Sequence, residues 1–160
     1  MENVLAKQIA KQFRDLHFGD NWVAVNFKSV LEDITWEQAT TRIYDLNTIA
    51  VLVFHVNYYV SAVLKVLEGG PLEASDKNSF DLPPITSEAE WEALKEKLFS
   101  EAEAFASRIE QLDDTRFFEL FIDGKYGNYH RNLVGIMEHT YYHMGQISLI
   151  RKILNQTTNQ

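Results

Sequence analysis

No cysteine occurs among the 160 residues. Its absence excludes disulfides, thiolate metal ligands and a protein-borne sulfur nucleophile, so any metal must be held by histidine, carboxylate, amide or water. Positive charge is scarce as well, with 15 basic residues against 23 acidic ones and a net charge of −8. No broad basic surface is available to neutralise a phosphate backbone, which excludes nucleic acid as a partner. Met1 to Phe13 carries Glu2, Lys7 and Lys11 among apolar residues, with no hydrophobic core followed by a small-residue cleavage site. With no secretory signal legible, the expected location is cytoplasmic. Internal repeats, low-complexity tracts and a dividing linker are also missing, so residues 1–160 are expected to form one domain.

What is present is ordinary for a globular chain: 46% hydrophobic and 24% charged residues. That length and composition bury a core without metal or disulfide staples, and disorder is excluded as the main state. Val4, Leu5, Ile9, Phe13 and Leu16 recur with helical spacing and predict a helix over residues 2 to about 16, interrupted at Phe18-Gly19-Asp20. His17, at that break, reads as a surface or capping histidine. A second helical run carries Trp22, Val23, Val25, Phe27, Val30, Leu31 and Ile34, either independent or continuing the first helix after a kink. Thr35-Trp36-Glu37-Gln38 fits a capping box and predicts a short helix.

Leu46 to Leu67 is the most apolar segment, and its 19 residues from Leu46 to Leu64 lack formal charge. A membrane span needs about that length. Asn47, His55, Asn57, Tyr58, Tyr59 and Ser61 would all have to be satisfied in lipid. A nearly surrounded helix of a soluble bundle explains the segment better. Residues 69 to 86 lack periodicity and read as a crossover spanning the bundle. Ser87 with Glu90 opens a helix through Trp91, Leu94, Leu98, Phe105 and Ile109 to about Gln111, whose glutamates form a solvated acidic face. Thr115 to Phe121 suggests one further helical turn, Asp123-Gly124 a turn, and Gly127-Asn128 the cap of a last helix from about Tyr129 to Leu154. His130, in its first turn, reads as exposed.

Two histidines, His139 and His143, lie four residues apart in that last helix and so share a face. At about 100° per residue, Leu133, Ile136, Thr140, Ile147, Ile150 and Leu154 fall in one arc with His143 at its middle and His139 and Gln146 on its flank. Glu138 points away, so the superficial likeness to the zincin motif gives no general base, and none is assigned. In the apolar helix, His55 lies with Thr48, Tyr59, Ala62 and Val66, a third inward histidine. Core histidines hydrogen-bonded to ordinary neighbours would produce the same pattern. If instead the fold joins them, three imidazoles offer ligands to one metal with a position left for water or substrate. Such an ion lowers the pKa of a water, polarises a carbonyl, or binds and deprotonates an incoming small-molecule thiol. Imidazole suits zinc, nickel, copper and iron. Gln146 and Tyr59 are candidates to support the ligands or line the cavity.

Phe54-His55-Val56-Asn57-Tyr58-Tyr59 and His139-x-x-x-His143-x-Gly145-Gln146, with the long connection before the third main helix, resemble the DinB/YfiT-like superfamily of metal-dependent four-helix-bundle proteins over nearly the whole chain. The resemblance implies an all-α four-helix bundle with a long crossover and short extra helical turns. It implies His55, His139 and His143 as ligands of a divalent metal, zinc or nickel, and a homodimer. Relatives in that superfamily include transferases and isomerases that use low-molecular-weight thiols such as bacillithiol or mycothiol. The expected function is therefore a metal-dependent enzyme acting on a small-molecule substrate, either a thiol-dependent S-transferase or a hydrolase. The alternative is a non-enzymatic bundle that binds metal or a small ligand. Arg131 and Arg151 are the candidate cations for the carboxylates of such a thiol. No membrane partner is expected.

Overall fold

A computed structural model describes residues 3–158, and every regular element in them is helical. Four long helices, α1 (Val4–Phe18), α4 (Ile49–Leu67), α5 (Glu88–Glu110) and α6 (Tyr129–Thr158), are joined by two short ones, α2 (Phe27–Leu31) and α3 (Trp36–Thr40). Short 3₁₀ turns at Asn78–Phe80 and Asp114–Phe118 complete the list. The long helices pack in a cycle: α1 on α5, α5 on α4, α4 on α6 and α6 on α1. Their apolar stripes meet in one cluster that includes Phe13, Val56, Leu98, Phe105, Leu133 and Ile147.

The path through residues 17–34 differs from the expectation. The first helix runs on through His17 to Phe18, and His17 is 0% exposed. Its Nδ1–H donates to the Phe13 carbonyl at 2.9 Å, and its ring stacks on Phe27 with centroids 5.7 Å apart. It is a core residue, neither surface nor cap. The second run is not helical throughout, since only Phe27–Leu31 forms a helix. Asn21 and Asn26 explain why. The Asn21 amide donates to the carbonyls of Asp15 and Val25, and the Asn26 side chain accepts from Ser29 N–H to start α2 afresh. These local side-chain bonds outcompete helix continuation, and Trp22, Val23 and Val25 are left exposed.

Elsewhere the signals act as read. Thr48 caps α4, accepting from Val51 N–H at 3.3 Å, and Gly69 ends the helix with φ +89°, a conformation natural only to glycine. By length and composition α4 could span a bilayer, but 67% of its most apolar window is buried inside the fold. Ser87 caps α5, accepting from Glu90 N–H. The Glu90 carboxylate turns back to the N–H and hydroxyl of Thr86, one residue further than a standard capping box. Asn128 caps α6, its side chain accepting from Arg131 N–H at 2.9 Å. Just before it, Phe121 N–H donates to Gly127 O and Tyr129 N–H to Glu119 O, so the 119–129 loop closes on the start of α6.

Candidate metal centre

The burial of α6 follows its wheel. Leu133, Ile136, Thr140, Ile147, Ile150 and Leu154 are all buried, with His143 among them at 8% exposure. His139, one turn earlier, is half-buried at the edge of the same stripe. Across from them α4 presents His55, 5% exposed. The packing of α4 on α6 therefore joins histidines 84 residues apart in sequence.

They meet through one type of atom. His139 Nε2 lies 3.0 Å from His55 Nε2 and 3.1 Å from His143 Nε2. One ligand nitrogen from each ring can be chosen so that all three lie within 4.8 Å of one another. The outer nitrogens are committed elsewhere. His143 Nδ1–H donates to Gln146 Oε1 at 2.8 Å. Ser79 Oγ donates its own hydrogen to Asp76 O at 2.8 Å, so it accepts from His55 Nδ1–H at 3.0 Å. An imidazole whose Nδ1 carries the proton has a bare lone pair on Nε2.

Burial holds the rings neutral. It pushes the His139 pKa down to about 4, with the nearby His143 and His55 adding to the effect. His55 is lowered first by burial and then by His143, and His143 by burial, partly offset by its bond to Gln146. Two bare Nε2 atoms thus face the Nε2 of a third neutral ring, which has at most one proton to donate. No proton placement on neutral rings satisfies both contacts. A cation does, and the two separations from His139 suit one. Three imidazole nitrogens held at about 2.0–2.1 Å from a metal stand roughly 2.9–3.4 Å apart for octahedral to tetrahedral angles.

Aromatic rings wall the cluster. Phe80 stacks on His55 with centroids 3.8 Å apart, and Tyr59 meets His139 edge-on at 5.1 Å. The Tyr59 hydroxyl donates to Asp76 Oδ1 at 2.6 Å, fastening the 76–80 segment to α4. One side of His139 opens onto a cleft of about 530 Å³ lined also by Tyr59, Lys125, Tyr126, Arg131, Asn132, Gly135 and Ile136. A second cavity of about 420 Å³ shares Tyr59, Lys125, Tyr126, Asn132 and Ile136 with it. A larger cleft, about 600 Å³, lies on the opposite face of α6 against Val134, Met137 and Tyr141 and is lined by no histidine. The smaller cleft is the one that serves the cluster.

All three expected ligands come together, with Gln146 and Tyr59 beside them. Glu138 is exposed and reaches Arg131 Nη1 at 3.6 Å instead of the histidines. Arg151 is spent on the carbonyls of Ser29 and Val30 and on Asp33, tying α6 to α2 and the turn after it. His130 is exposed as expected. Sequence reasoning missed Ser79, Asp76 and Phe80, which sit in the aperiodic connection between α4 and α5. The one available signal was the turn chemistry of Ser75-Asp76 ahead of Ser79 and Phe80.

A chain that is all-helical over its described residues and whose α4 and α6 bring three imidazoles together is compatible with a metal-binding protein. The family model of the DinB superfamily matches residues 21–147, and the chain belongs to that superfamily. No curated protein and no solved structure matches it.

Proposed function

We propose that the protein is a metal-dependent enzyme in which His55, His139 and His143 hold one divalent ion, zinc or nickel, through Nε2. The convergence of three Nε2 atoms, two of them stripped of protons by Ser79 and Gln146, carries this reading. Membership of a metal-binding superfamily supports it. A bound ion supplies Lewis-acid activation of a water, a carbonyl or a small-molecule thiol. The chain's own residues orient the rings: Ser79 and Gln146 fix their tautomers, while Tyr59 and Phe80 keep bulk water from His55. The reaction we favour is a low-molecular-weight-thiol-dependent S-transfer, or a hydrolysis, on a small molecule entering by the Arg131–Tyr126 cleft. The long helices are read as a four-helix bundle with residues 69–86 as its crossover, acting in the cytoplasm as a homodimer.

Metal analysis of the purified protein and of H55A, H139A and H143A tests the site. About one equivalent of metal is expected in the parent and a strong loss in each variant. Full metal content in all three variants would sink the proposal. Screening metal-loaded protein with electrophiles plus thiols, and with esters and amides, then separates an enzyme from a binding protein.

A further inference from the structure

The cleft beside His139 differs in charge from the rest of this acidic chain. Two cations, Lys125 and Arg131, line it, while the nearest carboxylates, Asp76 and Asp123 in the adjoining cavity and Glu138 beside Arg131, lie outside its lining. Both are placed by specific local structure. The Lys125 loop is pinned over α6 by Asn132 Nδ2–H, which donates to Tyr126 O at 3.0 Å, and the Lys125 backbone N–H is held by Asp123 Oδ1. Among the described residues no carboxylate lies within ion-pair distance of Lys125 Nζ, which instead rests 5.0 Å from the Tyr126 ring centroid.

Arg131 does not extend back toward the start of α6. Its Nη1 lies over Gly135, where a Cβ would come within 2.9 Å of it, and 3.6 Å from Glu138 Oε2. A mid-helix glycine is destabilising relative to alanine, but here it leaves the guanidinium a bed along the helix. Glu138 is 67% and Arg131 69% exposed, so this long ion pair is weak and yields readily to a better-placed anion. Gly135 precedes His139 by one turn, about 6 Å along the axis. The guanidinium and the histidine edge therefore border the same cleft, with Tyr59 and Ile136 also in its wall.

We infer that this cleft takes a carboxylate-bearing small molecule with an apolar or aromatic body, its carboxylate held by Arg131 and Lys125 about one helical turn from the atom presented to His139. A carboxylate matches the planar fork of a guanidinium. A body roughly four or five bonds long fits the one-turn spacing. The assignment deepens the proposed function and rests on the three histidines being the reactive end of the cleft.

Calorimetry on the metal-loaded full chain tests it with 3-phenylpropanoate and its primary amide as probes. The acid is expected to bind about tenfold or more tighter than the amide, the order of one charge-assisted contact. R131M and K125M should each remove most of that difference, R131K should restore part of it, and K7M on α1 should leave it intact. G135A should weaken acid binding in the parent but not further in R131M, because its methyl acts by displacing the guanidinium. Equal binding of acid and amide, or acid binding indifferent to both Arg131 and Lys125, would overturn the inference. Metal content, measured on the same samples, keeps the two readings apart. Arg131-dependent acid binding in a chain that takes up no metal sinks the metal site and leaves the anion site standing. Normal metal uptake with charge-indifferent binding does the reverse.

Discussion

His17 has no polar partner for its Nε2, although the ring is fully buried. Burial pushes its pKa down to about 4, from an ordinary value of 6.5. The unfolded chain therefore takes up a proton at this site before the folded one does, and the sign follows. Stability is undiminished above pH 6.5 and falls as the pH drops toward 4, by up to about 3 kcal/mol. His139 contributes in the same direction, so the comparison must be made with a variant. Urea midpoints at pH 7 and pH 4.5 should lie closer together in His17→Leu than in the parent; identical pH dependence would refute the assignment. This residue was misread because Gly19-Asp20 suggested a helix end two residues too early. The clue that would have placed it was the four-residue step from Phe13 to His17, which continues the apolar stripe of α1.

Among whole elements, periodicity sufficed wherever a helix buries one face for several turns. The wheel of α6 placed His139, His143 and Gln146 on the correct side and Glu138 outside, and the apolar run of α4 placed His55. It failed over residues 22–26, where apolar side chains are exposed and asparagine bonds direct the backbone. It was silent for Ser79, because a 3₁₀ turn in an aperiodic connection leaves no pattern to read. Long-range polar contacts are equally invisible in sequence. Trp91, fully buried on α5, donates Nε1–H to Ile34 O at 2.7 Å and so fixes the turn between α2 and α3 to the core. Trp91→Phe keeps most of the packing but strands that carbonyl. Denaturant unfolding should report a loss of about 1–3 kcal/mol, and a change below a few tenths would mean that water replaces the bond.

On the scale of the molecule, the cluster links α4 to α6 and ties the connection over residues 69–86 to them through Ser79. A metal bound only by the folded chain adds RT ln(1 + [L]/Kd) to stability, about 4 kcal/mol when the free ion is a thousandfold above Kd. Because the proposed ligands come from α4 and α6, and Asp76 and Ser79 brace them from the connection over residues 69–86, that gain should be local before it is global. Removal of metal with a chelator is expected to lower the melting temperature and to accelerate amide exchange in residues 76–80 and in the middle of α6. The α1–α5 pair, which contributes no ligand, should keep its protection. Uniform acceleration across all four long helices would mean instead that the histidines act only through global stability. In H139A the chelator should change nothing, and a chelator-dependent melting shift persisting there would place the metal elsewhere on the chain.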